Sequence, residues 1–223
     1  MAILAPSYDR APVADRPASG LRAVQRLERR REILDAAVEL FAARGFEGAS
    51  LAAIAAACGV PVPLIVYHFT GKEQLWRDAI DAIYARYEAH FAAGSAGAPR
   101  HGAAFYRGQI AAYINAIAAH PQYMRMLFQE GIHDTPRLAW LVERHQRPFT
   151  DRLTALIARA QAEGLLPAVD PVHLKFLLSG AFVMPIVLAA EYRLLDGTDA
   201  LSPAFVAAHI ALCERLLLPG LAD

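Results

Sequence analysis

The segment SLAAIAAACGVPVPLIVYHFTGK, residues 50–72, decides how the chain folds. Ser50 stands at an N-cap position before Leu51, Ile54, Ala55 and Cys58, whose spacing gives a two-turn helix. Gly59 follows as its C-terminal stop. A second short helix is expected over roughly Pro61 to Phe69. Two short helices joined by a glycine turn have the spacing of a helix-turn-helix, whose second helix enters the DNA major groove. Pro61 and Pro63 suit only a first helical turn, where their missing N–H groups have no helical partner anyway. Pro63 disfavours the helical region for Val62, so an irregular start is expected. Thr70 and Glu73 have capping-box spacing and open a further helix reaching about Phe91.

Upstream, Ile33, Leu34, Ala37, Val38, Leu40 and Phe41 fall on one helical stripe that Gly45 ends. Residues 1–21 mix Ala, Pro, Ser and Asp without periodicity and read as a disordered tail. Downstream, Gly94, Ser95, Gly97 and Pro99 form a loop. Five helical segments follow, over roughly 101–119, 121–131, 136–163, 171–195 and 203–218. No alternating β-branched run argues for a sheet, so the fold class is all-α.

Composition narrows the function. The 223 residues suffice for one large domain or two small ones, and 56% of them are hydrophobic. Lys+Arg and Asp+Glu are each 22, which excludes a strongly basic nucleic-acid coat protein. Any DNA contact must come from local charge segregation. Among the basic residues only Lys72 and Lys175 are lysines. Two distant cysteines, Cys58 and Cys213, build neither a disulfide framework nor a Cys-based zinc site, which fits a reducing compartment. The longest apolar run, Phe176 to Ala190, is too short for a membrane helix and contains Pro185. A soluble, cytoplasmic protein is expected, with no membrane partner.

The residues Arg31 to Phe41, Gly45-Phe46, Ser50, Ile54-Ala55, Gly59-Val60, Ile65, Tyr67-His68-Phe69 and Lys72-Glu73-Gln74-Leu75 resemble the N-terminal domain of the TetR family. These are bacterial one-component transcriptional regulators, usually repressors. The resemblance covers about residues 27–91, with every spacer at the family length, and is looser beyond. It implies a helix-turn-helix DNA-binding domain over 22–76 and a ligand-binding and dimerisation domain over 77–223. It further implies DNA contacts by Arg29, Arg30, Ser50, Val62, Leu64, Tyr67, His68, Thr70 and Lys72. Lys72 would meet a phosphate at a helix N-terminus, where exposed N–H groups and the helix dipole favour an anion. Arg22, Arg26, Arg29, Arg30 and Arg31 form a basic arm, opposed nearby only by Glu28 and Glu32.

Three positions depart from the family pattern: Pro61 for Ser or Thr, Pro63 for Gly, and Val66 for Tyr. The reading helix is thereby unusually apolar, so limited direct base readout is expected, supplemented by DNA shape.

The family likeness implies a small-molecule effector held among aromatic and methionine side chains of the second half. Tyr113, Met124, Phe128, Trp140, His145, Phe149 and Phe176 are the candidates, with helix 136–163 as the main wall. Segment 171–195 is apolar on nearly every side and segment 203–218 is similarly rich. Together they resemble the face through which family members form a homodimer, which spaces two reading helices for successive major grooves of a palindromic operator. Two rivals come from other classes. Glu130 and His133 have the Glu-x-x-His spacing of di-iron bundles, but no second copy exists. With no nucleophile elbow or phosphate-binding glycine loop, no catalytic residue, metal or cofactor is assigned. A helical protein–protein adaptor that binds no DNA is the other reading.

Overall fold

The computed structural model describes residues 18–97 and 99–217, all helical or connecting, with no strand among the described residues. The first helix, α1 (Ala18–Gly48), is held by good helix formers, and Gly45 ends its regular part with a left-handed φ of 70°. It begins earlier than the periodicity suggested, so residues 18–21 are helix and not tail. The remainder of the expected tail, residues 1–17, lies outside the described residues. Three helices follow: α2 (Leu51–Cys58), α3 (Val62–Phe69) and the long α4 (Lys72–Ser95).

The apolar stripe of α1 packs Ile33, Ala37, Val38 and Phe41 against Leu75, Trp76, Ala79, Ile80 and Ile83 of α4. Ile54, Ile65 and Phe69 close the same core from α2 and α3. At 24 residues, α4 spans about 36 Å at 1.5 Å per residue. Its start touches α1 and α3, and it also packs on α5 (Gly102–Ala119) and α6 (Pro121–Gly131).

The segment expected as one helix over 136–163 carries a wide turn. α7 (Pro136–Leu141) runs into a π-helical turn at Val142–Gln146 and continues as α8 (Arg147–Ala162). Pro148 has no N–H to donate to the carbonyl four residues back, and its ring would crowd that carbonyl. The ladder widens instead, with Arg147 N–H donating to the Val142 carbonyl. The segment expected over 171–195 is likewise two helices, α9 (Pro171–Val187) and α10 (Ala189–Asp196), bent by 68° at Leu188. Pro185 removes one helical hydrogen bond just before that bend. The last helix, α11 (Pro203–Leu217), packs on α5 and α9.

In the single chain, α9 leaves Phe176, Leu177 and Met184 exposed, Leu188 is exposed at the bend after it, and α11 leaves Leu212 and Leu216 exposed. Burial all round, expected from the apolar composition of α9, is therefore not achieved within one protomer. No single helix among the described residues is long and apolar enough to cross a membrane.

Candidate DNA-reading surface and ligand cavity

The axes of α2 and α3 meet at 106°, inside the range of a helix-turn-helix. Ser50 Oγ accepts a hydrogen bond from Ala53 N–H at 3.1 Å, and Gly59 closes α2 with a left-handed φ of 66°. At the start of α3, Leu64 N–H donates to the Pro61 carbonyl at 3.0 Å. That three-residue spacing is the tightened turn two prolines impose.

Buried Ile65 and Phe69 set the phase of α3. Pro63, Val66, Tyr67 and Thr70 therefore point outward, with Tyr67 69% exposed. Val62 and Leu64, expected at the bases, are half-buried and pack on the core. Pro63 and Val66 were not among the expected contacts, although their three- and four-residue spacing with Tyr67 and Thr70 was the available signal. His68 is half-buried, its ring at 5.3 Å from Tyr67. Burial first, then the positive charges of Arg26 and Arg30, push its imidazole below the ordinary histidine range.

Thr70 does not form the expected capping box. Its backbone is left-handed, φ 58°, and its N–H donates to the Val66 carbonyl at 2.8 Å, closing α3. Its hydroxyl donates to the Phe69 carbonyl at 2.7 Å. A β-branched residue in this region is strained, because its Cβ crowds the backbone. The N-cap of α4 is Gly71, which offers no side-chain acceptor. The first-turn N–H groups of α4 thus stand uncapped beside α3. Lys72 sits at that turn, half-buried, its Nζ 4.5 Å from the Phe46 ring centroid and 3.4 Å from the Glu47 carbonyl.

The basic arm is more neutralised than the sequence suggested. Arg30 Nη2 pairs with Asp78 of α4 at 2.5 Å, and its guanidinium lies 4.9 Å over the Phe69 ring. Arg29 pairs with Glu32 at 2.7 Å, and Arg31 lies 3.9 Å from Asp35. Counting neighbours in sequence includes Glu32 but misses Asp78 of α4 and Asp35, one turn on along α1. Arg30 consequently braces α3 against α1 and α4.

A cavity of about 690 Å³ opens among α4, α6, α8 and α9. Tyr113, Met124, Phe128, Phe149 and Phe176, five of the seven candidate ligand residues, line it. Tyr84 and Tyr87 of α4 and Val142 and Gln146 of the π turn complete the wall. A smaller cavity of about 110 Å³ adjoins it, sharing Tyr113, Phe149, Lys175 and Ser179. Burial pushes the Tyr113 phenol up to about 12, so it remains a neutral donor.

Trp140 and His145 line neither cavity. The extra residue in the π turn rotates them away from Phe149 and toward α4. Trp140 meets Trp76 at 5.9 Å between ring centroids. Buried His145 places Nε2 at 2.8 Å from Asp81 Oδ1, and Arg144 reaches the same carboxylate at 3.3 Å. Desolvation lowers the His145 imidazole despite this carboxylate. Glu130 is not a spare ligand: Thr135 Oγ1 donates to it, and Arg137 Nε does so at 3.2 Å, while His133 is exposed. No group of three or more potential metal ligands occurs among the described residues.

Comparison with known proteins agrees with this geometry. Residues 33–79 match the pattern of "Bacterial regulatory proteins, tetR family", and residues 107–216 that of "Tetracyclin repressor-like, C-terminal domain". The chain belongs to the TetR family. It is 31% identical over 150 residues to the HTH-type transcriptional activator FasR of Mycolicibacterium smegmatis, covering 65% of this chain and 67% of that protein. It is 24% identical over 200 residues to the HTH-type transcriptional regulator RutR of Escherichia coli strain K12, covering 86% and 90%. Among solved structures, AibR in complex with isovaleryl coenzyme A and operator DNA aligns with a TM-score of 0.67 at 20% identity, over 86% of this chain and 98% of that one. Both ends of the family architecture are therefore present in one chain.

Proposed function

We propose that this TetR-family chain is a ligand-responsive transcriptional regulator that binds duplex DNA as a homodimer and acts as a repressor. The 106° pairing of α2 with an outward-facing α3 carries the reading. Tyr67 and Val66 face base edges, with apolar contacts suited to thymine methyls, and Pro63 sits at the same face. The uncapped N-terminus of α4 and Lys72 receive a phosphate next to them. The dimer forms through the apolar stripes of α9 and α11, where Phe176, Met184, Leu212 and Leu216 are exposed in the lone protomer. Residues 22–76 form the DNA-binding domain and 77–223 the ligand-binding and dimerisation domain. The chain works in the cytoplasm and catalyses no reaction.

An effector in the cavity touches Tyr84 and Tyr87, which belong to α4, the helix that begins at Lys72. A ligand that prefers one tilt of α4 shifts the dimer between DNA-competent and DNA-incompetent spacings, by as much as its affinities for the two states differ. In AibR, an acyl-coenzyme A and operator DNA are bound to one such architecture, which supports the same division of labour here.

Selection of bound duplexes from a random pool with the purified protein tests the proposal. A palindrome with half-sites about one helical turn apart is the expected product. Recovery of no sequence above the starting pool would overturn it.

A further inference from the structure

Lys175 is one of only two lysines among the 22 basic residues of the chain, and the other, Lys72, opens α4. It is 8% exposed, in the wall shared by both cavities. Among the described residues, no carboxylate lies within ion-pair distance of it. Its Nζ sits 4.3 Å from the centroid of the Phe176 ring. Ser179, one turn further along α9, lines the same junction beside Tyr113. The other charged residues at the larger cavity, Arg147 and Asp151, are exposed at its rim, and Arg147 is already engaged by Glu143 at 2.6 Å.

A buried ammonium without a counter-ion is costly, and here burial pushes it below the ordinary lysine range. The rest of the junction is apolar: Phe149 and Phe182 adjoin it, with Leu178 and Ile110 beyond in the smaller cavity. An uncharged hydrocarbon ligand would entomb the ammonium with no partner. A cationic ligand would be repelled. An anion on an apolar body satisfies both parts of the wall, since a charge-assisted hydrogen bond to the ammonium replaces the lost hydration.

Building on the reading of this cavity as the effector site, we propose that the effector is an amphipathic carboxylate whose anionic group is held by Lys175, with Ser179 and Tyr113 beside it. Its hydrocarbon or aromatic body fills the larger cavity, and the smaller one accepts an end of the chain.

The test uses the intact protein and competition against a neutral fluorescent probe, N-phenyl-1-naphthylamine, with decanoate and decan-1-ol as matched ligands. Decanoate is expected to displace the probe about tenfold or more better than the alcohol, the range of a charge-assisted hydrogen bond. Lys175→Met conserves volume and removes the charge. It should abolish that preference while leaving alcohol binding in place, and Lys175→Arg should restore part of it. Equal binding of acid and alcohol by the unaltered protein would overturn the carboxylate assignment while leaving the cavity reading intact. If the probe fails to bind, or binds equally to a Val183→Trp variant whose cavity is filled, the cavity reading falls and the assignment with it.

Discussion

Replacing Glu130 with alanine tests how the C-terminal body is fastened to the DNA-reading end. Glu130 is 5% exposed and accepts from Thr135 Oγ1 and from Arg137 Nε. Thr135 in turn caps α7 through Leu138 N–H at 3.0 Å. The Arg137 guanidinium lies 3.8 Å over the ring of Phe46, in the last turn of α1, and 3.7 Å from Glu47. Breaking a fully buried ion pair by removing one partner costs about 3–5 kcal/mol. Arg137 is 18% exposed in its side chain and keeps Glu47 and Phe46, so the loss here should be about 2–3 kcal/mol. For a chain of this size that lowers the melting temperature by roughly 5–10 °C. Thermal and urea denaturation should be run at one fixed protomer concentration, because dimerisation adds to apparent stability. Arg137→Met alone should cost about as much, since it strands the buried carboxylate. The double variant Glu130→Ala/Arg137→Met should cost little more than either single one, giving a coupling of about 2 kcal/mol. A single-variant loss below about 1 kcal/mol, or strictly additive losses, would refute the reasoning.

Ser50→Ala should destabilise the protein by about 1 kcal/mol in a melt, because it removes the α2 cap, whereas Ser50→Gly should cost only a few tenths. DNA affinity lost in the glycine variant at unchanged stability would assign Ser50 a contact beyond capping. Tyr67→Ala should leave the melt within about 0.5 kcal/mol but weaken binding to a selected duplex by about 1–3 kcal/mol, while Leu64→Ala should do the reverse, since only Tyr67 is exposed. Stability should fall on acidification below pH 6.5: His68, His120 and His145 are all lowered by burial, so the unfolded chain takes up protons before the folded one. A melt at pH 5.5 should lie below that at pH 7.5, and His145→Gln should reduce the difference. The depressed carboxylates Glu143 and Glu163 enter only lower, below their ordinary 4.5, and an unchanged melt between the two pH values would exclude the histidine account.

The reading half was legible because its signals are local. Ser50, Gly45 and Gly59 each act through their own dihedrals or one nearby donor, and all three stand where the spacing placed them. Thr70 misled for the same reason. Capping-box spacing is a local rule, but α3 needed a closing residue directly after Phe69, and Thr70 filled that place. The arm arginines were misjudged because Asp78 lies 48 positions from Arg30, and only the α1–α4 packing brings them together. Trp140 and His145 were placed with Phe149 by assuming uninterrupted helix. The wide turn before Pro148 separates them, although the proline was visible in the sequence.

That same wide turn gives the cavity a second grip on α4. Val142 and Gln146, inside the turn, face the cavity, while Arg144 and His145, between them in sequence, hold Asp81 on α4. Gln146 also donates to the Tyr123 hydroxyl at 2.8 Å, and Tyr123 packs on Tyr84 and Tyr87. A ligand held in this cavity would therefore press α4 directly through two tyrosines and indirectly through the Asp81 clip. Val142 and Gln146, four apart, share one face, and Arg144 lies two residues from each on the opposite one. Asp78, three residues before Asp81 on α4, holds Arg30 beside Phe69 of the reading helix. If the cavity holds the effector, displacement of the clip would reach α3 through one helical turn of α4 and Arg30 of α1.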